Sequence, residues 1–260
     1  MRPRRLFAAA CLGAFLLGCA GPAIRPVTRA GDADPVPLAA ALERFEGPPT
    51  AARAVGRAWL PDGRRVDFAA GSAPEKGFRL DAVVGPFAKL LFSATCKSGG
   101  GCEIYLPDRN LLIKQPEDGA ASWFGALLSG RPPRVGAPRE AWTDGEGNRV
   151  LRLEDGKGRW QTVVFDGRGE LPGRVLYGNA GRPPELELRY LEFRKDGDAW
   201  YPLRVTIGGA DEAERLTVLF ERIERFDSSS APEYGIRVPS GTAEERGEGI
   251  ETWKRMGFIW

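Results

Sequence analysis

The chain has 260 residues, of which 37 are lysine or arginine and 35 are aspartate or glutamate, and it contains no histidine. This near-neutral charge argues against nucleic-acid binding, which relies on a clear excess of basic side chains. The lack of histidine excludes catalytic sites of the Ser-His-Asp and Cys-His types and removes the commonest zinc ligand, so we expect no enzyme, no metal and no cofactor.

The first twenty residues have the order of a secretory signal peptide. Three arginines among the first five residues are followed by an uncharged apolar run over residues 6–17, and Gly18 stands directly before Cys19. A positive, an apolar and a small-residue region in this order are typical of an export signal. The apolar run covers about a dozen residues, whereas a spanning helix needs about 20, so an uncleaved anchor or a buried helix is the weaker interpretation.

Leu16-Leu17-Gly18-Cys19 resembles the lipobox of bacterial lipoproteins. In that family cleavage makes the cysteine the new N-terminus, which implies a lipoprotein signal peptide over residues 1–18 and lipidation, including palmitate, at Cys19. Several acyl chains hold a protein stably on a membrane. Ala20 stands where an aspartate would favour inner-membrane retention, so the resemblance implies a protein anchored in the outer membrane by lipid and facing the periplasm.

The segment after the signal peptide is predicted to form a lipidated flexible tether over residues 19–37, because it contains four prolines with interspersed glycines and aspartates. Leu38, Leu42 and Phe45 then recur at spacings of four and three, which predicts one short amphipathic helix. Gly47-Pro48-Pro49 ends that helix.

From residue 55 onward, apolar and polar residues alternate and turn signals recur. Phe78, Leu80 and Ala82, for example, alternate with Arg79 and Asp81. Asp-Gly pairs separate further strands, which we predict at residues 150–153, 162–165, 186–193, 200–207 and 216–226. Many short strands with a turn about every 8 to 12 residues predict a meandering antiparallel sheet or barrel.

Cys96 and Cys102 are the two cysteines that remain after the one that is acylated. A hairpin centred on Gly99 places Cys96 opposite Cys102 and Ala94 opposite Ile104, because side chains alternate between the two faces of a strand. Opposed Cβ atoms lie about 4.5–5.5 Å apart, near the distance that a disulfide needs. We therefore predict a disulfide; a redox pair is the weaker alternative, since the spacing is not C-x-x-C.

A second apolar segment, residues 119–130, interrupts the strands with large side chains at helical spacing. A concave sheet facing two such helices would enclose a space in which burial of an acyl chain gains about 25 cal/mol per Å². The alternative is that the same side chains fill an ordinary core. The candidate lining residues are Trp59, Phe68, Leu80, Phe92, Ile104, Trp123, Phe124 and Leu127.

The order of these parts resembles the LolA/LolB-like family of outer-membrane lipoproteins and carriers. The stretches that carry the resemblance are Val55-Gly56-Arg57-Ala58, Phe78-Arg79-Leu80-Asp81 with Gly85-Pro86-Phe87, Trp200-Tyr201-Pro202, and residues 216–226 and 234–239. The resemblance implies a mainly β domain over residues 38–240, a curved and incompletely closed antiparallel β-barrel with short helices forming a lid. It further implies a membrane-anchored lipoprotein that binds lipid or lipoprotein acyl chains in a hydrophobic cavity during outer-membrane biogenesis.

The chain also departs from LolB. The sequence does not identify the protruding loop with an exposed apolar residue that LolB uses, because the glycine-rich loop at residues 97–101 carries no large apolar side chain. This departure puts LolB's transfer activity in doubt.

A C-terminal tail over residues 241–260 carries Trp253, Met256 and Trp260 at spacings of three and four. These residues fit packing on the body, contact with the membrane interface, or docking of a partner. The alternative function is therefore a structural accessory lipoprotein that binds another envelope protein. The carboxylates near residues 185, 187 and 224 fit the solvated face of strands better than the paired acids of a glycosidase.

Overall fold

The computed structural model describes residues 24, 27–47, 50–115, 125–127, 129–167, 170–196, 199–209 and 215–247. The predicted signal peptide, Cys19, Trp123, Phe124 and the tail beyond residue 247 lie outside this range, so the predictions made for them stay predictions. No helix in the described part is long and apolar enough to cross a membrane.

The described chain is mainly β. Its helix α1 covers Pro35–Glu46, short 3-10 turns cover Pro107–Arg109 and Ser228–Ser230, and residues 125–127 are helical. The strands are β1 Gly31–Asp32, β2 Ala51–Trp59, β3 Arg65–Ala73, β4 Gly77–Val84, β5 Lys89–Cys96, β6 Cys102–Leu106, β7 Leu111–Gln115, β8 Ala137–Thr143, β9 Arg149–Glu154, β10 Arg159–Phe165, β11 Pro172–Asn179, β12 Leu186–Asp196, β13 Ala199–Gly208, β14 Arg215–Phe226 and β15 Ala243–Arg246.

All fifteen strands form one curved sheet in the order β1-β8-β9-β10-β11-β12-β13-β14-β2-β3-β4-β5-β6-β7-β15. Neighbouring strands are antiparallel except β15, which runs parallel to β7. Because β1 and β15 stand at opposite ends of the order, the sheet does not close. The prediction of a mainly β, incompletely closed antiparallel architecture with short helices is confirmed.

Helix α1 forms where the apolar spacing predicts it. The Asp34 side chain accepts a hydrogen bond from the Val36 amide at 2.9 Å, which satisfies one of the free N–H groups of the first turn. Gly47 ends the helix with a φ of 60°, a backbone conformation that suits glycine. The buried stripe of Leu38, Leu42 and Phe45 faces β8, β9 and β13. The helix thus packs on the inner face of the sheet at β8, β9 and β13.

Strands β11 and β12 carry a buried ion cluster on the outer face of the sheet. Glu187, with a side chain only 3 % exposed, pairs with Arg174 and, at 3.0 Å, with Arg189. Burial alone would raise the pKa of Glu187, but hydrogen bonds from Arg189 and Arg174 outweigh it and hold the pKa below its usual value of 4.5. The carboxylate therefore stabilises the fold in its ionised form.

We expect a Glu187→Gln variant to lose about 1–3 kcal/mol of unfolding free energy at pH 7, because it removes the buried negative charge that pairs with Arg174 and Arg189. A group with a lowered folded pKa stabilises the protein above its unfolded pKa and loses that effect as the pH falls through the folded pKa. The difference between the two proteins should therefore shrink below pH 4.5. Urea unfolding across pH measures it.

Glu185→Gln is the matched control for that experiment, since Glu185 is about half exposed and lies 3.9 Å from Arg182. This substitution should lower the free energy of unfolding by about 0.5 kcal/mol or less at every pH. Equal losses from the two substitutions would contradict the prediction.

Candidate functional site

The inner face of strands β2 to β7 is apolar and is built over small side chains. Five alanines, one or two on each of the first four strands, lie in the same buried cluster as large apolar residues. These alanines are at most 8 % exposed, so other parts of the protein cover this part of the sheet. The alanines are Ala54, Ala58, Ala70, Ala82 and Ala94.

Five of the predicted lining residues are brought together on this face. Each is at most 9 % exposed, and each belongs to the one large apolar cluster that also includes Leu38 and Leu42 of α1. The Phe68 ring packs edge-on against Phe220 at 5.9 Å between ring centroids. These five residues are Phe68, Leu80, Phe92, Ile104 and Leu127. The candidates Trp123 and Phe124 lie outside the described residues.

The structure does not place Trp59 with the others. Its neighbours Ala58 and Leu60 join the inner cluster, and alternate residues of a strand point to opposite faces. Trp59 therefore shares the outer face with Arg57, which pairs with Asp67 at 3.8 Å. The alternation of small residues along β2 is a sequence signal that could have shown this.

The hairpin of β5 and β6 has the predicted register. Cys96 pairs with Cys102 and Ala94 with Ile104, and the two cysteines form a disulfide whose residues are both buried. The bond closes the hairpin at the end of the inner face where residues 97–101 form the turn. It holds two of the strands that carry the predicted lining residues in register.

A partly buried charged cluster lies where α1 ends. Burial, and then the charge of Arg225, lower the pKa of Arg131 to about 10. The Arg225 guanidinium stacks over the Tyr201 ring at 4.5 Å, and burial raises the pKa of Glu46. The sequence gives no sign of this cluster, because its members come from distant segments and no spacing links them. It borders the apolar inner face with positive charge.

The turn between β4 and β5 carries an exposed aromatic residue. Phe87 is 94 % exposed, and it stands between Gly85 and Ala88, both of which have positive φ angles. Lys89 beside it pairs with Asp108 at 2.8 Å. The sequence shows no large apolar side chain in the loop at residues 97–101, and the structure places an exposed apolar residue in this turn instead.

The carboxylates considered for a glycosidase are engaged in other contacts. Glu185 accepts hydrogen bonds from the Asn179 amide, Glu187 pairs with two arginines, and Glu224 lies 3.4 Å from Arg222. Within the described ranges, no group of three or more histidine, cysteine, aspartate or glutamate residues is arranged to hold a metal ion.

Comparison with known proteins gives structural similarities only. No protein-family model matches the chain, and no curated protein matches it. The chain is similar to a candidate outer membrane lipoprotein-sorting protein domain from Vibrio parahaemolyticus, with a TM-score of 0.49 and 13% identity over 73% of this chain and 91% of that one. It is also similar to a LolA superfamily protein from Nitrosomonas europaea, with a TM-score of 0.49 and 11% identity over 73% and 94% of the two chains. A DUF1329 family protein from Desulfovibrio piger has a TM-score of 0.45 and 12% identity over 74% and 94%.

Proposed function

We propose that this protein is a LolB-like, membrane-anchored lipoprotein that binds the acyl chains of lipids or lipoproteins against the inner face of β2 to β7. The observation that carries the proposal is the apolar inner face over alanines in a sheet that does not close. Its lining residues are at most 9 % exposed, so an acyl chain has to enter beneath the protein segments that cover this face. Such a site needs shape and apolar lining rather than catalytic groups, in keeping with a chain that lacks histidine.

The expected gain from binding is large enough to hold a lipid. Each buried methylene contributes about 0.8 kcal/mol, so about ten methylenes of one acyl chain contribute roughly 8 kcal/mol before the loss of freedom on binding. The charged cluster of Arg131, Arg225 and Glu46 at the end of α1 is suited to the polar head of such a ligand.

We expect an Ala70→Phe variant to lose binding of a fluorescent 16-carbon fatty acid by tenfold or more. Ala70 lies on the inner face beside Leu80, and a phenyl ring there would occupy the space assigned to the ligand. Fluorescence titration of the purified protein measures binding, and urea unfolding measures stability.

Ala69→Phe is the matched control, because Ala69 is exposed on the outer face of the same strand and should leave binding unchanged. If the inner face is an ordinary filled core, Ala70→Phe should instead destabilise the protein by about 1–3 kcal/mol through overpacking. That outcome, with no fatty-acid binding by the unaltered protein, would contradict the proposal.

The exposed Phe87 supports delivery of the ligand to a membrane, because an aromatic ring beside a lysine suits the membrane interface. We expect Phe87→Ser to slow lipid transfer to phospholipid vesicles by about tenfold, since the variant loses roughly 1.5–3 kcal/mol of apolar contact with the bilayer. Fatty-acid binding should persist. Val36→Ser is the control, because Val36 is also apolar and exposed, at 70 %. Equal transfer rates for all three proteins would count against this step.

A further inference from the structure

The N-terminal segment crosses the outer face of the sheet before it enters α1. Ile24 is buried against Trp160 and Leu176, and Val27 contacts the same cluster and the neighbouring one around Trp142. The Ala30 amide then donates to the Thr143 carbonyl at 2.8 Å, and β1 pairs with β8. The part of the predicted tether that the structure describes is therefore docked on the body.

The direction of this path follows from the strand register. Trp160 pairs with Glu154 and Gly178, next to the turns at residues 155–158 and 180–185. Trp142 pairs with Val150, close to the turn at residues 144–148 at the opposite end of the strands. The chain thus enters the body near the first pair of turns and runs toward the other end.

The end where the chain enters also carries Phe87. Because neighbouring strands are antiparallel, the turns at 155–158 and 180–185 share one end of the sheet with those at 60–64, 85–88 and 107–110. We call this set of five turns the upper rim, and the turns at 74–76, 97–101 and 144–148 the lower rim. These turns carry acidic and basic side chains in equal number, so the exposed Phe87, and not net charge, distinguishes this end of the sheet.

The short segment between Cys19 and Ile24 favours the upper rim as the one that reaches the bilayer. Four residues stand between Cys19 and Ile24, so the acylated cysteine lies within about 18 Å of Ile24 even when the chain is fully extended. Ile24 packs on Trp160, the second residue of β10, and on Leu176, which pairs with Thr162. It therefore lies about 3–10 Å from the upper end of that strand and about 10–17 Å from its lower end. Cys19 reaches the upper rim with chain length to spare, whereas it reaches the lower rim only when the segment before Ile24 is nearly extended along the strands.

We propose that the docked N-terminal segment orients the protein with its upper rim, including Phe87, against the bilayer and its lower rim away from it. The inference rests on the acylation of Cys19 in the proposed function and not on fatty-acid binding. The bilayer surface is then the partner of the upper rim. The short segment between Cys19 and Ile24 and the ring of Phe87 together hold the upper rim at that surface.

The test uses the full-length lipidated protein in phosphatidylethanolamine and phosphatidylglycerol vesicles that contain lipids with a nitroxide headgroup. Fluorophores are attached to single variants Lys157→Cys and Arg109→Cys at the upper rim, and Glu75→Cys and Glu146→Cys at the lower rim. The native pair Cys96 and Cys102 is disulfide-bonded and buried, so it does not compete for the label. Quenching at the upper rim should exceed that at the lower rim several-fold; equal or reversed quenching overturns the proposal.

A second variant tests the role of the short segment between Cys19 and Ile24. Insertion of a 20-residue Gly-Ser linker after Ala20 should reduce quenching at Lys157→Cys several-fold, since the body is then free to leave the surface. Undiminished quenching would overturn the role of the docked segment. Intact mass separates the two proposals: a protein without acyl groups overturns this inference, whereas loss of fatty-acid binding in an acylated protein affects only the proposed function.

Discussion

A Cys19→Ala variant should carry no acyl group and should keep residues 1–18, because the predicted processing needs the thiol of that cysteine. The effect is all-or-none: incorporation of labelled palmitate should fall to background, and the intact mass should rise by the uncleaved signal peptide minus the missing lipid. Metabolic labelling followed by mass spectrometry measures both. This prediction has the largest expected effect, since several acyl chains bind a bilayer far more strongly than any patch of the protein surface.

The Cys96→Ala/Cys102→Ala double variant is the control for that experiment. It removes the other two cysteines of the body but leaves the lipobox intact, so it should be acylated normally and lose only stability, about 2 kcal/mol for the short loop that the disulfide closes. Palmitate on the Cys19→Ala protein, or its absence from the double variant, would show that the lipobox assignment is wrong.

Gly77→Ala should be the most damaging single substitution that we predict inside the sheet. Gly77 has a φ of 95°, and a Cβ atom there would lie 1.8 Å from the carbonyl oxygen of Cys96. Backbone atoms at this point belong to the β4–β5 ladder and cannot move without breaking it. We expect a loss of about 4 kcal/mol or more in unfolding free energy, measured by urea unfolding.

Gly63→Ala separates the clash from the backbone strain. Gly63 has a similar φ of 80°, but no atom lies within 4 Å of the position that its Cβ would take. The Gly63→Ala variant should therefore lose about 1–2 kcal/mol of unfolding free energy, the penalty of a left-handed backbone conformation alone. Similar losses at the two glycines would contradict the role assigned to the close approach of Cys96.

Local features of the fold were predictable because their signals lie within one segment. The spacing of Leu38, Leu42 and Phe45 predicts α1, and the two cysteines around Gly99 predict the register of the β5–β6 hairpin. The pairing of β14 with β2 joins distant parts of the chain, and periodicity along the sequence does not report which strands meet. The inner cluster was accordingly predicted better than the strand order.

Three features of the site were missed for separate physical reasons. Composition favours a flexible tether at residues 19–37, but it does not report that Ile24 finds a buried place beside Trp160. The family resemblance rests on Gly85-Pro86-Phe87 without assigning Phe87 to either face, and only the turn geometry shows its ring to be exposed. Size favoured Trp59 as a lining residue, whereas strand alternation places it outside.

The open sheet has two edges, and each is covered by a short strand of the same chain. The two residues of β1 pair with β8, and β15 hydrogen-bonds along β7, where the Gly247 amide donates to the Lys114 carbonyl at 2.7 Å. Exposed β-strand edges invite pairing with other molecules. A chain that ended before Ala243 would present the bare backbone of β7 to its neighbours, and filament growth through strand addition would then compete with the correctly assembled monomer.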